Sequence, residues 1–158
     1  MSDAADTLLD QAAIQHLLHR YARACDERQW SAFDSIFCED ISVNYGGEFK
    51  LDGRIAAVDM IKSMLGGCGP TQHLLGNYDI IIEHDKAYSR CYVRAAHAGL
   101  GDDENLFYEV WAEYHDTLVR RTQGWWITQR NLSLLFGAFT RLKGWQDRLN
   151  SRFSSTGF

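Results

Sequence analysis

A chain of 158 residues has the length of one ordinary domain, enough to bury roughly two-thirds of its unfolded surface without disulfide or metal staples. The formal net charge of −5, with no Lys/Arg cluster, argues against a nucleic-acid surface. The longest aliphatic run, Ile80-Ile81-Ile82, is far too short to span a membrane.

Aromatic residues reach 13 %, five Trp and eight Phe among them. That pool of flat apolar surface fits an aromatic-walled pocket, a subunit interface or a plain core. Cys25, Cys38, Cys68 and Cys91 form no C-x-x-C pair, so they read as free thiols of a cytoplasmic protein rather than zinc ligands. Asp3, Asp6 and Asp10, with no basic or apolar stretch, do not read as a secretory signal.

The first half reads helical. Ile14, Leu17, Leu18, Tyr21, Ala22 and Cys25 recur at helical spacing, with Gln15, His16, His19, Arg20 and Arg23 on the other face. This predicts a long amphipathic helix running to about Asp26. A shorter helix should carry Trp30, Phe33, Ile36 and Phe37, followed by a strand in which Ile41, Val43 and Tyr45 alternate up to Gly46-Gly47. A third helix opens after Asp52-Gly53, with Ile55, Val58, Ile61 and Leu65 on its buried side, and ends at the glycines before Pro70.

The second half reads as strand, near Thr71–Glu83, Ala87–Gly99, Leu106–Arg121 and Trp125–Phe136. Short links predict an antiparallel meander, bent by bulges that let the inward and outward alternation slip. After Gly137, the spacing of Phe139, Leu142, Trp145 and Leu149 predicts a terminal helix. Helices first, then one curved sheet, is an α+β architecture. A strongly curved, mostly antiparallel mixed sheet around the helices makes a cone, and residues 1–158 form a single domain.

Of the six histidines, His16 and His19 sit on the polar face of the first helix and His84 in a turn. His73 opens a strand after a glycine-rich loop, where sites accumulate. His97 shares a face with Ser89, Cys91, Val93 and Ala95, which looks inward; it is a core residue or a pocket group. The opposite face, Tyr88, Arg90, Tyr92 and Arg94, suits water or a partner. Asp26 ends the long helix beside its apolar stripe, where the helix dipole and desolvation both disfavour a carboxylate. Either it turns to water or a histidine compensates it.

Several pieces, in this order, carry a resemblance: Tyr21-Ala22-Arg23-Ala24-Cys25-Asp26 running on to Trp30, Val43-Asn44-Tyr45, Thr71-Gln72-His73, the inward His97, and Tyr114-His115-Asp116 leading to Arg120-Arg121 and Gly124-Trp125-Trp126. From about Ile14 to Phe136 the chain resembles the scytalone dehydratase-like, or SnoaL-like, branch of the nuclear transport factor two-like superfamily.

The resemblance implies the same cone-shaped α+β barrel and an elimination catalysed without metal or organic cofactor. It makes His73 the base, Asp26 its orienting partner, His97 a second histidine, and Tyr45 the group that polarises a substrate carbonyl. Glu113 and His115 fall where scytalone dehydratase has a serine and an asparagine, and Cys25 replaces its other tyrosine. Substrate contacts are expected from Tyr21, Trp30, Phe49, Trp111, Glu113, His115 and Phe136, with Met64 and Phe139 as further walls.

The implied activity is a dehydratase acting on a small cyclic hydroxyketone. An ordinary imidazole titrates near 6.5, suited to base work around neutrality. The alternatives are an isomerase using Asp26 itself as base and a non-catalytic binding or subunit module. Tyr88, Tyr92, Leu106, Tyr108 and Val110 are expected to form an outer patch covered in a homo-oligomer, a trimer or dimer.

Overall fold

The computed structural model describes residues 2–46 and 50–141. Phe49 and the tail positions Leu142, Trp145 and Leu149 lie outside the described residues.

Helix α1 spans Ser2–Asp26. All six residues of its predicted stripe are buried, with Ile14 and Leu18 fully so. The helix ends in a Schellman turn. Gln29 N–H donates to the Ala24 carbonyl at 2.9 Å and Arg28 N–H to that of Cys25 at 3.3 Å, with Arg28 left-handed at φ +57°. Glycine usually holds that position; an arginine there costs about 1–2 kcal/mol.

The predicted second helix is a single 3-10 segment, Trp30–Ser35. Phe37 already belongs to strand β1, Phe37–Asn44. A three-residue strand β2, Lys50–Asp52, precedes helix α2, Arg54–Gly66. Helix α2 buries Ala57, Val58, Ile61 and Leu65. Ile55 is not on that face and is 80 % exposed, because α2 begins only one residue before it.

Strands β3 (Thr71–Glu83), β4 (Lys86–Ala98), β5 (Leu106–Arg121) and β6 (Gly124–Arg141) form the meander. Strand β6 continues to Arg141 where a helix was expected after Gly137, because β5 offers paired partners down to Leu106. The sheet order is β2-β1-β6-β5-β4-β3, with β1 parallel to β6 and every other pair antiparallel. The sheet is therefore open, with β2 and β3 at its edges, and not a closed barrel. Helix α1 lies against β3 and β6.

Bulges decide which residues look inward. In β6, Trp125 and Ile127 are buried; the register shift opposite Thr117/Leu118 changes the phase, so that Arg130 is buried next. A second shift opposite Trp111/Ala112 turns Phe136 outward. At the mouth of the cone the loops after α2 and β4 nearly touch. Gly69 N–H donates to the Ala98 carbonyl at 2.9 Å, and a Cβ on Gly99 would meet the Asp103 carbonyl oxygen at 1.8 Å. Only glycine fits there.

Candidate active site

A cavity of about 410 Å³ occupies the wide end of the cone, within the range of small-ligand pockets. Tyr21, Cys25, Tyr45, His73, His97 and Tyr114 line it, together with an apolar wall that includes Ile61, Val93, Ala95, Val110 and Leu132. Met64 and Asp103 also line it.

Asp26 and His73 meet at the seam between the end of α1 and the start of β3. One carboxylate oxygen, Oδ1, lies 2.7 Å from His73 Nδ1 and accepts from Thr71 Oγ1 at 3.0 Å. The other, Oδ2, accepts from the His73 backbone N–H at 2.9 Å. A carboxylate that accepts through both oxygens fixes Nδ1 as the protonated nitrogen, which leaves Nε2 as the free base. The side chains are 7 % (His73) and 20 % (Asp26) exposed, so this pair is largely shielded from water. Burial pushes the Asp26 carboxyl up, but the hydrogen bonds from the His73 ring and backbone, its charge and Thr71 outweigh it and hold the carboxyl below its ordinary value.

Arg28 braces this seam. Its Nη1 donates to the Cys25 carbonyl at 2.6 Å and to Thr71 Oγ1 at 2.8 Å; its Nη2 donates to the Gly69 and Leu65 carbonyls at 3.0 and 3.3 Å. One guanidinium thus caps the C-termini of α1 and α2, where a cation suits both dipoles, and orients the hydroxyl that holds Asp26. These bonds offset the left-handed backbone at Arg28.

The His97 ring stands edge-on to that of His73, with centroids 5.7 Å apart. Its Nδ1 donates to the Tyr108 carbonyl at 3.3 Å, leaving Nε2 as an acceptor. Burial first, then the charge of His73, push the His97 imidazole below its ordinary value, so it stays neutral near pH 7. On the same cavity lining, the hydroxyls of Tyr21 and Tyr45 are 2.8 Å apart. Burial raises the pKa of Tyr21, Tyr45 and Tyr114, which keeps all three as neutral donors. The Cys25 thiol is pushed up to about 12 by the same cause and stays protonated.

The structure thus brings together His73, Asp26, His97, Tyr45 and Tyr21. Met64 joins them on the cavity, whereas Trp30, Trp111, Phe136, Glu113 and His115 are elsewhere. Trp30 stacks on Phe33 at 6.3 Å, packed against the core and not on the cavity. Trp111 stacks on Phe136 at 4.7 Å on the outer face of the sheet. Glu113 pairs there with Arg90 and His115, each at 2.9 Å.

The inward residues of β5 are those between: Tyr108, Val110, Ala112 and Tyr114. Leu106, Tyr108 and Val110, expected on the outer patch, line the cavity instead. Tyr114, Arg28 and the buried Arg130 were missed. Arg130 in particular lies in a strand with no sequence signal for burial, and its partner Asp116 is on the next strand.

A model of the SnoaL-like domain matches residues 6–131. The chain belongs to the SnoaL-like family. Protein Rv2910c of Mycobacterium tuberculosis is 32 % identical to it over 124 residues, which is 77 % of this chain and 82 % of that protein. The structure of LinA, a hexachlorocyclohexane dehydrochlorinase, superposes on this SnoaL-like chain with a TM-score of 0.77 at 26 % identity, covering 91 % of this chain and 96 % of LinA. A scytalone dehydratase-like protein of Novosphingobium aromaticivorans superposes with a TM-score of 0.78 at 24 % identity, covering 87 % and 91 %. The α+β architecture is that of these structures. No described helix of this SnoaL-like chain is long and apolar enough to cross a membrane.

Proposed function

We propose that this SnoaL-like protein is a lyase that eliminates water from a small cyclic hydroxyketone, using the His73–Asp26 pair and no cofactor. The observation that carries this reading is the 2.7 Å contact between His73 Nδ1 and Asp26, which leaves the other ring nitrogen as the free base of a cavity-lining histidine. His73 Nε2 takes a proton from the carbon next to the substrate carbonyl, and Asp26 stabilises the imidazolium. The Tyr21–Tyr45 pair donates to the enolate oxygen as it forms. The imidazolium then returns its proton to the hydroxyl on the next carbon. The C–O bond breaks, a C=C bond forms and water leaves.

His97, held neutral, accepts from that hydroxyl and orients it. Asp26 already accepts three hydrogen bonds and is held below its ordinary pKa, which argues against an isomerase that uses it as the base. That LinA is a dehydrochlorinase adds support for elimination chemistry on this fold.

3-Hydroxycyclohexanone tests the proposal, because its elimination product, cyclohexenone, is followed by enone absorption. The wild type should accelerate formation of the enone, and His73→Gln should abolish the acceleration. Equal rates for the two proteins across a panel of cyclic hydroxyketones would leave a binding role as the better account.

A further inference from the structure

Beneath the tyrosine pair the sheet encloses an ion pair that the elimination steps above do not use. Arg130 on β6 and Asp116 on β5 are register partners, and neither side chain has any exposed surface. Arg130 Nε donates to Asp116 Oδ1 at 2.7 Å and Nη2 to Oδ2 at 2.6 Å. The third nitrogen, Nη1, is buried with no hydrogen-bond partner among the described residues. The guanidinium meets two phenol rings instead: its central carbon lies 3.9 Å from the ring centre of Tyr21 and 4.1 Å from that of Tyr114.

Burying an ion pair costs several kcal/mol per ion, and packed apolar residues commonly replace such pairs without loss of stability. Packing alone therefore does not account for Arg130. Its position does. The rings it touches belong to the cavity lining, and the Tyr21 hydroxyl is the one bonded to Tyr45. A fixed cation behind a hydrogen-bond donor matters most when negative charge develops on the far side of that donor. Against the effect of burial, the Arg130 charge pulls the pKa of Tyr21, Tyr45, Tyr114 and Cys25 down, so it is felt across this part of the cavity lining.

We infer that Arg130 is a positioning residue for an oxyanion-binding site made by the Tyr21 and Tyr45 hydroxyls, with Asp116 clamping its guanidinium between the rings. The identity of the oxyanion, a substrate enolate, rests on the lyase reading. The site itself is read with p-nitrophenol, whose phenolate absorbs visible light and whose neutral form does not. Binding is measured in the His73→Gln protein, on either side of the ligand's own ionisation, so that the dyad cannot hold the anion.

The phenolate should bind at least tenfold more tightly than the neutral phenol. Tyr45→Phe should weaken that preference, and Arg130→Met with Asp116→Leu, which replaces both partners by apolar groups, should remove it. Equal affinity for the two forms, no binding of either, or an undiminished preference in the folded double variant would overturn the inference. The first comparison changes nothing at Arg130 and stands even if the double variant does not fold. Failure of the lyase reading shows separately, as enone formation that His73→Gln leaves unchanged.

Discussion

Replacing Asp26 by asparagine is the sharpest perturbation of the dyad, because it keeps shape and removes charge. The carboxylate accepts from three donors: the His73 ring at 2.7 Å, the His73 backbone at 2.9 Å and Thr71 at 3.0 Å. An amide has only one acceptor oxygen. If its NH₂ takes the Oδ2 position it faces the His73 N–H, donor against donor. If it takes the Oδ1 position it forces His73 Nδ1 to accept, so the proton moves to Nε2. Either arrangement costs stability, and the second also removes the base, since Nε2–H cannot take a proton.

Losing one charge-assisted hydrogen bond of this kind costs about 2 kcal/mol, and the 20 % exposure of Asp26 trims that figure. The melting temperature should fall by about 4–8 °C. Enone formation from 3-hydroxycyclohexanone should fall by about 10²- to 10⁴-fold. Nitrogen NMR of the His73 ring reads the tautomer directly. A folded Asp26→Asn protein with activity within a few-fold of wild type and an unchanged tautomer would refute the reasoning.

Three further outcomes follow from other parts of the structure. Asp26 and His97 both titrate lower in the folded chain than in the unfolded one, so each contributes stability above its unfolded pKa, about 3.9 and 6.5. Those contributions are lost as pH falls through the lower folded values. Denaturant stability should therefore drop in two stages on acidification, and His97→Phe should erase the stage nearer neutrality. Arg28→Gly relieves the left-handed backbone but removes the side-chain donors to Thr71 and to the carbonyls of Cys25, Leu65 and Gly69; the Cys25 and Leu65 carbonyls keep a backbone N–H. Thermal melts should show a net loss of roughly 2 kcal/mol, and a gain would show that the guanidinium braces nothing. Leu74, Tyr92 and Phe136 stand 63, 49 and 56 % exposed on the outer face of the sheet. Light scattering should find a homo-oligomer that Phe136→Arg shifts toward monomer; a wild-type monomer would sink the expectation.

The legible parts of the fold were those with strong contrast between faces. The stripe from Ile14 to Cys25 is apolar against a charged opposite face, and it is buried as read. In β4, Ser89, Cys91, Val93 and Ala95 alternate with Tyr88, Arg90, Tyr92 and Arg94, which placed His97 inward. Strand β5 has less contrast. Leu106, Tyr108 and Val110 alternate with Phe107, Glu109 and Trp111, so large apolar side chains stand in both phases. A slip of one residue exchanges the faces of a whole strand. That ambiguity of phase puts Leu106, Tyr108 and Val110 on the outer patch in the sequence reading, while Glu113 and His115 enter the site through the resemblance alone. The loss of phase at Thr128 hid Arg130 in the same way, since neither a bulge nor a cross-strand ion pair leaves a mark in hydrophobic periodicity.

Electrostatics marks Asp26 as a residue that must turn to water or find a donor, and the resemblance names His73 as that partner. In the structure His73 and Thr71 supply the donors. Helix α1 also carries Tyr21, so one rigid element positions part of the proposed base and part of the proposed oxyanion site. Asp26 lies five positions after Tyr21, a rise of about 7.5 Å along the axis. A substrate whose carbonyl reaches the tyrosine pair presents its neighbouring carbon toward His73 only if that spacing holds. Inserting one residue between them would turn either group by about 100° and separate proton removal from enolate binding. The loops at the mouth can then vary what enters the cavity, while the helix keeps the two chemical halves in register.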